Sequence, residues 1–167
     1  MINQISTKTR FGWISAFENR GKIFKIKFCR LKKQTKSKIL ENFKKKLLKF
    51  FDKKVLNINI PHEMVGNQIQ KKIWNQLKKI KVGNTTTYGK IAKKYKLSSR
   101  HVGKICGQNN LLLVVPCHRV IRTDGSLGGF TSVGGIKLKK NYWNLKKLGL
   151  FKFSLVYSST QKNQHYF

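Results

Sequence analysis

An apolar stretch that begins at Leu111 and includes Val114 and Val115 runs straight into Pro116-Cys117-His118-Arg119-Val120. No other part of the sequence constrains the fold as much. An unbroken apolar run belongs inside a core, and a rigid proline followed by a thiol and an ionisable ring marks where the run reaches the core's edge. The expectation is a buried strand that delivers Cys117 to that edge, a placement suited to a reactive cysteine. Adjacent residues of a strand point to opposite faces, so contact between Cys117 and His118 needs a bend at 117 or an intervening water. Given that contact, the imidazole can accept the thiol proton, and basic surroundings favour the anion. The plainer reading is a buried cysteine followed by a packed histidine. Taken from the residues alone, Cys29 and Cys106 are packing thiols.

A chain of 167 residues is long enough for one domain or two small ones. It carries 37 Lys and Arg against 5 Asp and Glu, a formal charge of +32. A surface so basic points to a polyanionic partner, because each lysine near a phosphate adds salt-dependent affinity without specifying sequence. Three other readings stand beside it: codon bias from an A·T-rich genome, a membrane surface and ribosomal association. The N-terminus lacks the basic region and continuous apolar run of a signal peptide, and no stretch reaches the roughly 20 apolar residues that cross a bilayer. Cys29, Cys106 and Cys117 are odd in number and have no C-x-x-C spacing, which disfavours a disulfide scaffold or zinc ribbon; Cys29 with His62 is too sparse for a metal. A cytoplasmic protein with free thiols, no metal and no membrane association is expected.

Three segments are expected: an N-terminal α+β domain over 1–61, a mainly helical domain over 62–150 and an extension over 151–167. In the first, residues 11–17 and 22–28 read as strands, the second alternating charged and apolar side chains, with Gly21 suited to a hairpin. Ile39, Phe43, Leu47, Leu48 and Phe51 recur at helical spacing over 35–51 and predict a basic amphipathic helix packed on those strands. Residues 57–62 read as a strand or extended connector. In the second, Ile69, Ile73, Trp74, Leu77 and Ile80 line a helix ending near Gly83. Thr85-Thr86-Thr87 can cap a helix bearing Tyr88, Ile91 and Ala92; after a break at Lys96-Leu97, Ser98 or Ser99 can cap another bearing Val102, Ile105 and Cys106. Two short helices about a tight turn, the second basic at its start, have the layout of a helix-turn-helix. Beyond them, 123–125 predict a turn, 128–135 a glycine-rich loop, 135–148 a helix capped by Gly149, and 151–157 a strand before a frayed polar tail.

The order and spacing of several of these motifs resemble the O6-alkylguanine-DNA alkyltransferase family. The likeness runs through residues 69–74, 80–88, Arg100-His101-Val102-Gly103, Asn109, Pro116-Cys117-His118-Arg119-Val120 and the glycine loop to Gly135. It covers roughly 69–149, while the first 60 residues match only in layout. The resemblance implies an α+β fold with a variable N-terminal domain and a helical alkyltransferase domain carrying a helix-turn-helix. It implies DNA repair by single-turnover, irreversible transfer of a methyl or small alkyl group from O6-alkylguanine, with O4-alkylthymine as a further substrate, to Cys117. His118 would relay the thiol proton through water, Arg119 would support the site, and Tyr88 would contact the phosphate beside the target and protonate the leaving guanine. DNA contacts would come from Thr87, Tyr88, Ser99 and Arg100, with Arg100 filling the stack left by a flipped nucleotide, where a planar cation can both stack and hydrogen-bond. Asn109 would be a hinge between recognition helix and active-site strand. Cys106, Val120, Leu127, Phe130 and Thr131 would line the base pocket. No cofactor is implied, and the partner would be double-stranded DNA bound by a monomer.

The sequence departs from the family pattern on its last helix, where Lys146 stands at the position of the glutamate that orients the histidine. A lysine cannot accept the imidazole proton, and its charge disfavours an imidazolium. Asp124 or Asn144 would have to substitute, or the reaction is slower. Lys81, His101, Asn110 and Phe130 are smaller departures, with an insertion within 131–133. Two other functions remain: a protein that binds alkylated bases without accepting the group, as alkyltransferase-like relatives that lack the cysteine do, and a structural chromatin or ribosomal protein.

Overall fold

Strands β1 (Ile2–Thr9), β2 (Gly12–Asn19) and β3 (Lys22–Lys27) form an antiparallel meander in the order β1-β2-β3. The structure is a computed structural model, and it describes residues 1–126 except 11, 53, 56 and 83. The β2–β3 turn is two residues long, with Asn19 paired to Lys22. Arg20 and Gly21 both take positive φ, 50° and 73°. That is the mirror-image turn whose twist matches its flanking strands, and a glycine at its second position makes it inexpensive. One face of the meander presents Ile5, Ile14 and Ala16 to the core.

Helix α1 (Lys38–Phe51) lies against all three strands. Its core contacts are Leu40, Phe43, Leu47, Phe50 and Phe51. The helix thus starts three residues after the expected beginning at 35, with Ile39 half-buried and Leu48 exposed. β1 escaped the sequence reading, because polar Asn3, Gln4, Ser6, Thr7 and Thr9 leave it little apolar alternation.

The chain then runs extended beside β3. Ile23 donates its N–H to the Pro61 carbonyl at 3.0 Å and accepts from the Glu63 N–H at 2.9 Å. A second crossing, in which the Ile26 N–H donates to the Asn110 carbonyl at 2.8 Å, fastens the same strand to the far end of the helical region. β3 is therefore the seam between sheet and helices.

Helices α2 (Gln68–Lys78), α3 (Tyr88–Tyr95) and α4 (Ser99–Gly107) pack around Ile73, Trp74, Leu77, Ile91, Val102 and Ile105. Each starts on a side-chain cap. Asn67 and Gln70 form a reciprocal capping box on α2, Thr87 Oγ1 accepts from the Lys90 N–H, and Ser98 Oγ accepts from the His101 N–H, both at 3.1 Å. Lys96 ends α3 in the left-handed region at φ 52°, turning the chain sharply into α4 and completing the helix-turn-helix. No helix among the described residues is long and apolar enough to cross a membrane.

The expected strand over 111–116 does not form. Leu111 makes a single bridge to Ile26, the Val115 N–H folds back to the Leu111 carbonyl at 2.9 Å, and Leu113 takes φ 73°. The run is apolar because all of it but the half-buried Val114 is internal, and periodicity cannot separate an internal turn from a buried strand. A 3₁₀ turn (Cys117–Arg119) follows, then the short strand β5 (Val120–Ile121), parallel to β4 (Thr86–Thr87). The turn expected at 123–125 is present, with Gly125 at φ 79°. The glycine loop, final helix and C-terminal strand, with Leu127, Phe130, Thr131, Asn144 and Lys146, lie outside the described residues.

Candidate functional site

Asn109 follows the end of α4 and is buried. Its side-chain oxygen accepts from the Leu111 N–H at 2.9 Å, while its amide nitrogen donates to the Val115 carbonyl at 2.9 Å and to Cys117 Sγ at 3.3 Å. One side chain therefore closes the internal turn and fixes the thiol it delivers. The Cys117 N–H donates back to the Val115 carbonyl at 2.9 Å, so the backbone that carries the sulfur and the sulfur itself are each held by a bond. The bend that an extended Cys117-His118 pair would require is supplied by the 3₁₀ turn.

Cys117 is 2% exposed. Burial raises its thiol pKa, and the Asn109 amide offsets this only in part by bonding to the sulfur. The His118 ring nitrogens are shielded from solvent, and burial, aided by the Arg119 charge, holds the imidazole down at about 3. The resting pair is thus a neutral thiol beside a neutral imidazole, not a thiolate–imidazolium pair. Any nucleophilic step must move the thiol proton as the substrate arrives.

Arg119 turns inward, and its guanidinium donates to the Ile80 carbonyl at 2.5 Å, just past the end of α2. Burial lowers its pKa without making it a proton donor under ordinary conditions. A fixed cation at a helix C-terminus is electrostatically favourable, and it braces the 3₁₀ turn against α2. This long-range contact has no signature in sequence periodicity.

The β4–β5 pairing sets Thr86 opposite Val120 and Thr87 opposite Ile121, which brings the start of α3 alongside the Cys117 turn. Tyr88, the first residue of α3, is half-buried, and its phenol is pushed up to about 12 by burial and then by Cys106 and Cys117. It is a neutral donor at physiological pH. A Cβ built on Gly103 would meet the Tyr88 ring at 3.9 Å, so α4 passes close beside that ring at a residue without a side chain. Gly103 ends the Arg100-His101-Val102-Gly103 motif, and a glycine inside a helical pattern is the sequence signal of such a close approach. Cys106, also on α4, is buried with its thiol pKa raised, first by burial and then by Cys117.

At the α3 N-terminus, a Cβ on Gly89 would lie 3.8–3.9 Å from the hydroxyls of Thr87, Ser99 and Thr123. Thr87 and Ser99 are therefore brought together, with Thr123 as a third hydroxyl the sequence reading missed. Ser98, not Ser99, caps α4, which leaves Ser99 and Arg100 exposed on its first turn. Val120 is buried directly after the Cys117–Arg119 turn. Asp124 is exposed and occupied locally, accepting from the Ser126 N–H at 2.8 Å, which holds its carboxyl below its ordinary value.

Residues 68–147 match the family description "6-O-methylguanine DNA methyltransferase, DNA binding domain". A methylated-DNA–protein-cysteine methyltransferase of Saccharomyces cerevisiae is 41% identical over 91 residues, covering 53% of this chain and 47% of the relative. One from Debaryomyces hansenii is 33% identical over 121 residues, covering 71% and 62%. The chain thus spans about half to three-fifths of the length of these curated relatives. In fold it is similar to the O6-methylguanine methyltransferase of Mycobacterium tuberculosis, with a TM-score of 0.73 at 23% identity over 89% of this chain and 94% of that one. The mixed sheet-and-helix N-terminal region, the helical C-terminal region and the motif series from Ile69 onward agree with one another: the chain belongs to the O6-alkylguanine-DNA alkyltransferase family.

Proposed function

We propose that this protein repairs double-stranded DNA by taking the alkyl group of O6-alkylguanine, or of O4-alkylthymine, irreversibly onto Cys117. The observation that carries the reading is the buried Cys117 sulfur, fixed by the Asn109 amide at 3.3 Å inside the region that matches the family. Cys117 Sγ attacks the alkyl carbon, and an S–C bond forms as the C–O6 bond breaks. The electron pair stays on the guanine, which takes up one proton while the thiol gives up another. His118, neutral at rest, accepts the thiol proton through a water, and Tyr88 supplies the proton to the departing base. Arg119 holds the turn. Thr87, Tyr88, Ser99 and Arg100 contact the duplex, with Arg100 in the gap left by the flipped nucleotide. Cys106, Val120, Leu127, Phe130 and Thr131 line the base pocket. Within this reading 1–61 and 62–150 are separate domains with 151–167 as an extension, and the protein acts as a cytoplasmic monomer.

Two features slow the step: the thiol is protonated at rest, and Lys146 replaces the expected glutamate. Loss of an orienting acid does not abolish a single-turnover reaction, because nucleophile and positioned substrate remain. The test is intact mass after incubation with an O6-methylguanine duplex, the expected result being one methyl replacing one hydrogen at Cys117. The resting protonation state also favours a second reading, a protein that binds alkylated bases without accepting the group. Tight, alkyl-selective binding with no mass gain on Cys117 would establish that reading and remove the first. A transfer rate that rises in Lys146→Glu would tie the slowness to that position.

A further inference from the structure

Nearly half of the chain's 37 lysines and arginines fall in residues 1–61, outside the segment that matches the DNA-binding family. On α1, three of the five lysines are ordered, while Lys44 and Lys46 stand to either side. Its core residues Leu40, Phe43, Leu47, Phe50 and Phe51 occupy one face, and at 100° per residue Lys38, Lys45 and Lys49 fall within a narrow arc on the opposite face, all exposed. The lysine stripe runs about 16 Å along the axis at 1.5 Å per residue.

Local physics disfavours this arrangement in isolation. Lys36 and Lys38 flank the positive end of the helix, where a cation opposes the macrodipole, and the Ser37 side chain makes no capping bond. Glu41 is the only acid in the first turn, and it stands on the flank of the stripe. Repulsion along the stripe is relieved by a polyanion. A membrane surface fits poorly, because the apolar face of α1 is already buried on the sheet and cannot enter lipid. Lysines are point charges that bind phosphate without reading bases, so this surface would add affinity and no sequence preference.

We infer that the α1 stripe is a second, sequence-independent contact surface for the phosphate backbone of duplex DNA, separate from the helix-turn-helix. It rests on the proposed function for the identity of the polyanion as DNA. Its role is to hold the protein on undamaged duplex between lesions.

The test is binding of the full chain to unmodified duplex across a salt series. The triple variant Lys38→Gln/Lys45→Gln/Lys49→Gln is compared with Lys8→Gln/Lys22→Gln/Lys54→Gln, three exposed lysines of the same region off the stripe. About three lost phosphate contacts should make the slope of log K against log salt shallower by about 2–3 for the stripe variant, and by clearly less for the control. Single-turnover transfer at saturating alkylated duplex should be unchanged in both. Equal losses in the two variants would overturn the stripe in favour of diffuse charge. So would an unchanged slope, or a loss confined to anionic vesicles or to RNA. Unmodified duplex reports on the stripe even if Cys117 accepts no alkyl group, so failure of the transferase reading is distinguishable from failure of this one.

Discussion

In the N-terminal sheet, the buried hydroxyls of Ser6 and Ser15 bond to each other at 2.9 Å; Ser15 donates to the Cys29 carbonyl and Ser6 accepts from the Leu31 N–H. In the helical region, the buried polar side chain of Asn109 bonds to two points of backbone and to a sulfur. Both arrangements satisfy groups that would be costly to bury unpaired. They differ in what they hold. The serines fasten a crossing segment to a sheet, and every partner is structural. Asn109 fixes the Cys117 sulfur, the proposed acceptor, and Arg119 braces the same turn from the side of α2. Loss of stability and loss of chemistry should therefore separate by region.

The largest expected effect isolates the sulfur. Cys117→Ser should eliminate alkyl transfer, measured as mass gain, while leaving duplex affinity within about twofold. Persistent transfer in this variant, mapped to Cys106, would relocate the acceptor and break the contrast at its centre.

Asn109→Ala should follow. It strands the Leu111 N–H in the core and removes one of the two donors to the Val115 carbonyl, which should cost about 2 kcal/mol in denaturant unfolding. It also frees the thiol, so the single-turnover rate should fall at least about tenfold, as small misplacements of a reacting group do. Ser15→Ala should cost about 1–2 kcal/mol by the same accounting and leave the rate untouched. Were both variants to lose stability with equal and unchanged rates, Asn109 would be another Ser15.

Acid titration sharpens the same distinction. The folded His118 binds its proton only near pH 3, against about 6.5 when unfolded, so the folded state carries fewer protons in between. Its contribution to stability is complete above about 6.5 and is lost as the pH falls toward 3, at up to about 1.4 kcal/mol per unit for a single proton. Cys117 works in the opposite direction. Its thiol pKa is raised, so its share is present below the free value of 9.0 and lost above it. Unfolding midpoints of wild type and His118→Asn, followed from pH 7 to 4, should diverge, the variant losing less. Parallel curves would mean the ring is as accessible to protons folded as unfolded.

Much of this was legible in the sequence where local chemistry decides the outcome. The β2–β3 turn followed from Gly21, the break at Lys96-Leu97 from a lapse in periodicity, and the α3 and α4 starts from Thr87 and from the Ser98-Ser99 pair. The segment 111–116 was misread because its conformation is set by Asn109 and by the Ile26 N–H bonding to Asn110, contacts that local pattern does not encode. β1 was invisible for a related reason: its hydroxyls and amides are satisfied by Thr35, Gln34 and Leu31, residues far along the chain. At the site, the order Pro116 to Val120 pointed to Cys117, the proposed acceptor. The braces, Val115 and Ile80 carbonyls, are backbone atoms to which any residue could contribute.

The smallest expected effect compares the helices themselves. The three helices about the site each begin on a side chain that satisfies an otherwise unpaired N–H, whereas Ser37 at the start of α1 makes no such bond. Replacing Asn67 or Thr87 by alanine should cost about 1 kcal/mol each, and Ser37→Ala close to nothing. Thr87→Ala carries a further consequence that Asn67→Ala lacks. The Thr87 cap fixes the first turn of α3, and Tyr88 is its first residue, so loosening it should slow transfer modestly along with the loss in stability. Asn67 stands at the start of α2, whose far end receives Arg119, and its loss should lower stability without changing the rate. Equal rates for the two cap variants would show that the phenol is held by Gly103 and the α4 backbone instead of by its own helix.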